Sequence, residues 1–408
     1  LALIVCAIIM LISSKKQEEE KRRQSSSFKG KVENTTKERK QKVEVCPIDK
    51  SEEAETGNTL RVKDKAHAKK WEEKSECPIV PKQKPNEKHT ILSSVIQSLQ
   101  TSDRSNSNTK AIEWGARFFN VKPDELKHIL SHKTNYYNSF WMRKRKGGFR
   151  RISTPAPILK DIQYVIYDQI LLPAKLHPSA TGFRPNYSIS DNVRPHLSHK
   201  LILKTDIHDF FQSISGEKIV KVFVDMGYPT DISEMLATIC TLHNGLPQGA
   251  PTSPALSNIV ATAIDNIIGG HTAKEGLSYT RYADDLTVSG SSFDKDKLFA
   301  LIDKTVEKEG LQLNFKKTRL MGNGDRLIVT GVSISSGVKM TIPKAKKREI
   351  RKNVHFILTK GLASHQQYIH SNDPVYLKRL IGMLCYWKSI EPTNDYVIRS
   401  IEALKQIK

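Results

Sequence analysis

The chain has 408 residues, enough for roughly two or three domains and at least one large core, which excludes a mini-protein. Its 65 Lys plus Arg against 43 Asp plus Glu give a formal net charge of +22, so an anion-repelling surface is excluded and polyanions are attracted: nucleic acid first, an anionic membrane surface second. Five cysteines, Cys6, Cys46, Cys77, Cys240 and Cys385, contain no CxxC pair, which argues against a zinc finger and a disulfide framework.

Residues 1–12 (LALIVCAIIMLI) are continuously apolar and end at Ser13, Ser14, Lys15 and Lys16. As a helix they would rise about 18 Å, short of the roughly 30 Å hydrocarbon core, so two readings stand: the last part of a transmembrane helix or the apolar region of a signal peptide. The first is preferred for 1–14, because no small-residue cleavage site follows and the basic residues after it favour the cytoplasmic side. Residues 15–90 are rich in Lys, Glu, Ser and Asn, have almost no apolar periodicity, and read as a charged linker, disordered or transiently helical. Helical spacing begins near Ile91 and resumes over 111–132 and 158–172. Leu201–Ile207 has the length and composition of a buried strand. Helices are predicted over 217–226, 231–242, 253–268 and 293–309, two short strands around a turn over 277–288, and a mostly helical tail from Pro343. The alternation predicts an α/β or α+β core with an all-helical end.

The residues that carry chemistry lie in the 277–288 turn, Tyr282-Ala283-Asp284-Asp285. Adjacent carboxylates repel unless a cation sits beside them, and a hard divalent ion with oxygen ligands answers that need. An Asp-Asp pair alone is common on surfaces. Here a second acidic strand end, Asp206 in LILKTDIHDFF, lies 78 residues before Asp284, and two such strand ends in one sheet would hold two Mg²⁺ ions for in-line phosphoryl transfer. Between them, Gly245 to Pro254 (GLPQGAPTSP) gives a stiff loop of close backbone approach before a helix, suited to a flat ligand such as a base pair.

These segments resemble the palm of a reverse transcriptase, with YADD, Asp206 and LPQGAPTSPALSN in the family's order and the likeness running over roughly residues 110–408. The resemblance implies an α+β right-hand polymerase fold: fingers within 91–200, a palm of antiparallel sheet and helices over 201–335, and a helical thumb over 336–408. It implies that Asp206, Asp284 and Asp285 are catalytic and bind two Mg²⁺ ions, with the Ile207 carbonyl as a further ligand. Phe211 resembles the gate that excludes a ribose 2′-hydroxyl, Gln248 would lie near the templating pair, and Lys317 in LNFKKT is a candidate general acid, a solvated lysine being the competing reading. Arg150, in KRKGGFRR, would pair with the incoming triphosphate.

Asn192-Val193-Arg194-Pro195-His196 resembles the NAxxH element of bacterial retron reverse transcriptases, with Val where that element has Ala, and Val329-Thr330-Gly331 resembles their VTG element. The resemblance implies an enzyme that copies part of its own noncoding RNA into branched RNA-linked DNA from deoxynucleoside triphosphates, within an antiphage system. Asn192, His196, Val329, Thr330, Gly331, Lys344, Lys347 and Arg348 would contact RNA. The partners implied are the cognate RNA, its RNA–DNA product, the inner membrane through the N-terminal arm, and a homo-oligomer or effector complex, with the catalytic part in the cytoplasm. Two alternatives stay open: another bacterial reverse transcriptase, of group II intron or abortive-infection type, and an RNA-binding scaffold for a membrane effector.

Overall fold

Two helices open the part of the chain that the structure, a computed structural model, describes: residues 104–144 and 147–407. The expected membrane segment at 1–14 and the linker at 15–90 lie outside these residues; among the described residues no helix is long and apolar enough to cross a membrane. Pro123, Asp124 and Glu125 start α2 (Pro123–Ser131), where the proline's missing N–H costs nothing and the acids face the positive end of the helix dipole. It packs on α1 (Arg104–Phe119) through Leu126 and Ile129, with Trp114 stacked on Phe118.

A hairpin absent from the predicted elements follows: β1 (Tyr137–Arg143) and β2 (Phe149–Pro155), antiparallel with Tyr137 opposite Pro155. Both faces of β1 are largely exposed, so it has no core face for a two-residue apolar period to report. The predicted helix at 158–172 is α3 (Pro157–Ile166) running into a π-helical turn at Tyr167–Leu171, and α4 (Ile189–Val193) starts with a Ser188–Asp191 capping box.

The central sheet is antiparallel in the order β4-β5-β3-β6: β3 (Leu201–Asp206), β4 (Ser278–Tyr282), β5 (Asp285–Gly290) and β6 (Arg319–Met321). Between β3 and β4 run α5 (Phe210–Ser213), α6 (Gly216–Asp225), α7 (Thr230–Cys240), α8 (Ser253–Val260) and α9 (Thr262–Lys274), and α10 (Lys295–Lys308) follows β5. The helix expected over 253–268 is thus two, divided where ψ at Ala261 relaxes to −4°. Successive side chains of β3 feed opposite cores. Leu203 joins Leu286, Ile264 and Ile302 on one face; Ile202 joins Val354, Leu384 and Trp387 on the other. That second core unites the small hairpin β7 (Ile328–Val329) and β8 (Val332–Ser333) with α11 (Lys344–Lys360), α13 (Tyr376–Ile390) and α14 (Asp395–Lys405), α12 (Leu362–Tyr368) lying between α11 and α13 in sequence.

Under the β4–β5 turn lies a buried ion pair. Arg281, fully buried on β4, donates to both carboxylate oxygens of Asp265 on α9, from Nη2 at 2.6 Å and Nε at 2.8 Å, and its Nη1 donates to Asn258 Oδ1 at 2.9 Å and to the Ala283 carbonyl at 3.2 Å. Tyr279 Oη also donates to Asp265, at 2.8 Å. Removing one partner would strand a desolvated charge. Asp265→Ala and Arg281→Ala are each expected to lose about 3–5 kcal/mol in urea unfolding, and the double replacement less than their sum.

Candidate active site

Register assembles the acidic cluster. β3 pairs with β5 so that Asp206 stands opposite Asp285, and the two-residue turn Ala283-Asp284 puts a third carboxylate beside them. Ala283 adopts φ +58°, and the turn is held from below: the Ile207 N–H donates to the Asp284 carbonyl at 2.9 Å, and a Cβ on Gly182 would lie 2.7 Å from the Ala283 nitrogen, so position 182 has room only for glycine. One oxygen of each carboxylate falls within 4.8 Å of the others. Burial, and then the charges of Asp206 and Asp285, push the Asp284 carboxyl up to about 7.

Two lysines offset this charge. Lys317 Nζ lies 2.6 Å from Asp206 Oδ1, and Lys204 Nζ lies 2.9 Å from Asp285 Oδ2. Partial burial would lower the Lys317 ammonium's pKa, but the hydrogen bond to Asp206 and the three nearby carboxylates outweigh it and hold the pKa above its ordinary value. Three converging carboxylates form an all-oxygen donor set of the kind a hard divalent ion takes, so the residues present fit such a metal.

The proline-rich loop joins this cluster to the β1–β2 hairpin through main-chain atoms. Leu246 N–H donates to the Phe211 carbonyl at 2.9 Å, Ser253 Oγ to the Pro247 carbonyl at 2.8 Å, and Ser153 N–H on β2 to the Gln248 carbonyl at 2.8 Å. Gly249, at φ +132°, has no space for a Cβ, which would meet the Ser153 carbonyl at 2.8 Å. Phe211 is half-buried with its ring 5.9 Å from that of Phe183, and Arg150 shares a face of β2 with Ile152, which lies against Gly249. Asp206, Ile207, Asp284, Asp285 and Lys317 therefore come together, with Phe211, Gln248 and Arg150 tied to them by the loop.

The expected RNA contacts are partly corrected. Asn192 and His196 are buried and cannot meet RNA directly. Asn192 accepts from Thr181 Oγ1 at 2.7 Å and donates to Thr330 Oγ1 at 2.8 Å, so the two short retron-like segments bind each other. His196 lies between Ser289 at 2.6 Å and Thr280 at 2.7 Å, and burial, aided by His199, pulls its pKa down to about 3, so it spans β4 and β5 as a neutral ring. Val329 is core, whereas Thr330 and Gly331 form the β7–β8 turn with φ of +45° and +84°. Lys347 turns inward to Glu391 at 2.7 Å and to the Trp387 ring; Lys344 and Arg348 remain exposed. Sequence reasoning missed Lys204, Gly182, Asp265 and Arg281; the signal for the last two was that Arg281 is the one charge in its strand, SYTRY, and Asp265 the one acid in its helix.

A family model described as reverse transcriptase (RNA-dependent DNA polymerase) matches residues 142–356. The chain is 37% identical over 253 residues to the retron Ec86 reverse transcriptase of Escherichia coli, covering 60% of this chain and 77% of that one. It is 30% identical over 290 residues to the retron Mx65 reverse transcriptase of Myxococcus xanthus, covering 65% of each, so it spans just under two thirds of that relative. Among solved structures, apo telomerase from Candida tropicalis aligns with 66% of this chain and 56% of its own at 13% identity and a TM-score of 0.41.

The raised Asp284 pKa has a sign. In the metal-free protein the folded state holds a proton that the unfolded chain has released above its ordinary carboxyl range, so this group costs stability as pH rises from about 4 to about 7. Asp284→Asn is expected to melt higher than wild type at pH 8 in EDTA and at nearly the same temperature at pH 4, as differential scanning calorimetry would read.

Proposed function

Because this chain belongs to the reverse transcriptase family and is a retron-type RNA-directed DNA polymerase, we propose that it copies part of its own noncoding RNA into branched, RNA-linked DNA. The observation that carries the reading is the register that sets Asp206 against Asp285 with Asp284 in the adjoining turn. Two Mg²⁺ ions held by these carboxylates and the Ile207 carbonyl would supply Lewis acidity to the attacking hydroxyl and to the triphosphate oxygens. The chain's own groups do the rest. In each addition a primer hydroxyl oxygen bonds to the α-phosphorus of a deoxynucleoside triphosphate and the bond to pyrophosphate breaks.

Arg150 pairs with the triphosphate, Gln248 lies beside the templating pair, and the Phe211 ring occupies the space a ribose 2′-hydroxyl would need. Lys317 is placed to hand a proton to pyrophosphate once its hold on Asp206 is released. Residues 91–200 serve as fingers, 201–335 as palm and 336–408 as thumb, with Lys344 and Arg348 presenting charge to RNA phosphates. Asn192, His196 and the Val329–Gly331 turn serve RNA binding indirectly, by fixing the thumb's second core to the palm. The apolar run at 1–12 supports an arm that couples the polymerase to the inner membrane within an antiphage system.

Expression of the chain with its neighbouring noncoding DNA should yield a small RNA-linked DNA, and Asp284→Asn with Asp285→Asn should abolish it. Absence of that product, with primer extension on RNA retained, would overturn the retron reading and leave the polymerase. In steady-state assays Phe211→Ala should raise ribonucleotide use relative to deoxynucleotide use about tenfold or more.

A further inference from the structure

The residue packed beside the Phe211 ring holds a backbone conformation that its own side chain does not favour. Phe183 adopts φ +58°, in the left-handed region that glycine enters freely and a bulky side chain seldom does. Such a conformation persists only where the surroundings over-determine it, and here they do. On one side Asn258 Nδ2 donates to the Gly182 carbonyl at 2.8 Å, while Thr181 donates from N–H to the Arg281 carbonyl at 2.9 Å and from Oγ1 to Asn192 Oδ1 at 2.7 Å. On the other, Arg184 Nη1 donates to the His177 and Ala180 carbonyls at 3.3 and 3.4 Å, and its guanidinium lies 4.3 Å from the centre of the Tyr187 ring.

Glycine would meet the backbone demand at this position, yet the chain places a large ring there. That ring is half-buried, and among the described residues its aromatic partner is Phe211, at 5.9 Å between centres and 53° between planes. Phe211 itself is tethered by main chain: its carbonyl accepts from Leu246 N–H at 2.9 Å. A backbone bond does not fix rotation about Cα–Cβ, so the direction of the ring depends on what it packs against. Phe210, its other ring neighbour at 5.8 Å, is buried in the large core and adjoins it in the same four-residue helix. Phe183 comes from a different segment, one pressed through Gly182 against the turn that carries Asp284. Contact with Phe183 therefore ties the direction of the Phe211 ring to the frame of the carboxylates.

We propose that Phe183 is a positioning residue for sugar discrimination: it braces the Phe211 ring in the orientation that leaves no room for a ribose 2′-hydroxyl. The inference rests on the reading of Phe211 as the gate. Discrimination is a ratio of two kcat/KM values. A ring held still meets the added hydroxyl by contact, whereas a ring free to swing aside admits it, so the brace acts on that ratio more than on the rate with either nucleotide.

The test is single-nucleotide addition by the full chain to a DNA primer annealed to RNA, with kcat and KM measured for a matched deoxynucleotide and ribonucleotide. Phe183→Gly keeps the left-handed backbone without strain and removes only the ring. It is expected to lower the deoxynucleotide preference about fivefold, mainly through the ribonucleotide KM, while Phe183→Tyr, which keeps the ring, stays within about twofold of wild type. Phe183→Leu, apolar but without a ring, should give a smaller loss of preference and takes the place of the glycine variant if that one does not fold. Preference is a ratio within one sample, so the amount of folded enzyme cancels. In a Phe211→Ala background Phe183→Gly should change it by less than about twofold, since nothing is left to brace. An unchanged preference in Phe183→Gly beside a relaxed one in Phe211→Ala overturns the brace and leaves the gate. Equal losses with both nucleotides, or an undiminished effect without the Phe211 ring, overturn it as well. A preference that survives Phe211→Ala removes the gate reading and the brace with it; failure of wild type to extend the primer removes the polymerase reading and both.

Discussion

Everything at the acidic cluster depends on where the Arg281 guanidinium spends its hydrogen bonds. Two go to Asp265 on α9, one to Asn258 on α8 and one to the Ala283 carbonyl in the turn that carries Asp284. Asn258 in turn donates to the Gly182 carbonyl, and Thr181 N–H donates to the Arg281 carbonyl, so the segment beneath the turn is fixed from two sides. Such a pair gains little net energy over a well-packed apolar substitute, because two charges must leave water. What it provides is direction: a planar fork with few acceptable partner positions. We attribute the left-handed Ala283 and the close Gly182 contact to that fixed frame, since neither conformation is favourable for its own sake.

A second constraint is electrostatic. A chain of net charge +22 attracts phosphates everywhere, yet the reacting end of a nucleotide must meet three carboxylates held within one small cluster. Lys204 and Lys317 keep that cluster from repelling itself open, each occupying one acid while Asp284 carries the unrelieved part of the strain. Lys204 differs from Lys317 in place. It belongs to the central strand β3 and is fixed by the sheet, whereas Lys317 sits in a short 3₁₀ turn after the last palm helix and is more exposed.

The sequence made the acidic cluster legible because its parts are local: a strand ending in Asp206, a turn bearing Asp284 and Asp285, and a loop whose glycines and prolines permit little else. The central strands and most helices could be read for the same reason, since each has one face in a core. The β1–β2 hairpin could not, because its strands are exposed on both sides and carry no such period. The roles of Asn192 and His196 were also hidden. A polar residue in a short motif looks like a ligand contact when its partners, Thr330 and Ser289, lie more than ninety residues away and bury it only in the folded chain.

The bond from Ser153 N–H to the Gln248 carbonyl, with Gly249 pressed against the Ser153 carbonyl, joins hairpin to palm loop through main-chain atoms. A joint made of backbone is blind to side-chain identity on either strand. Substitutions at 150 or 248 can therefore change what the cleft reads without altering how far its walls stand apart, while a change at 249 moves the wall itself. Drift in substrate preference and drift in geometry are thus separable in this protein, and a single glycine marks the boundary between them.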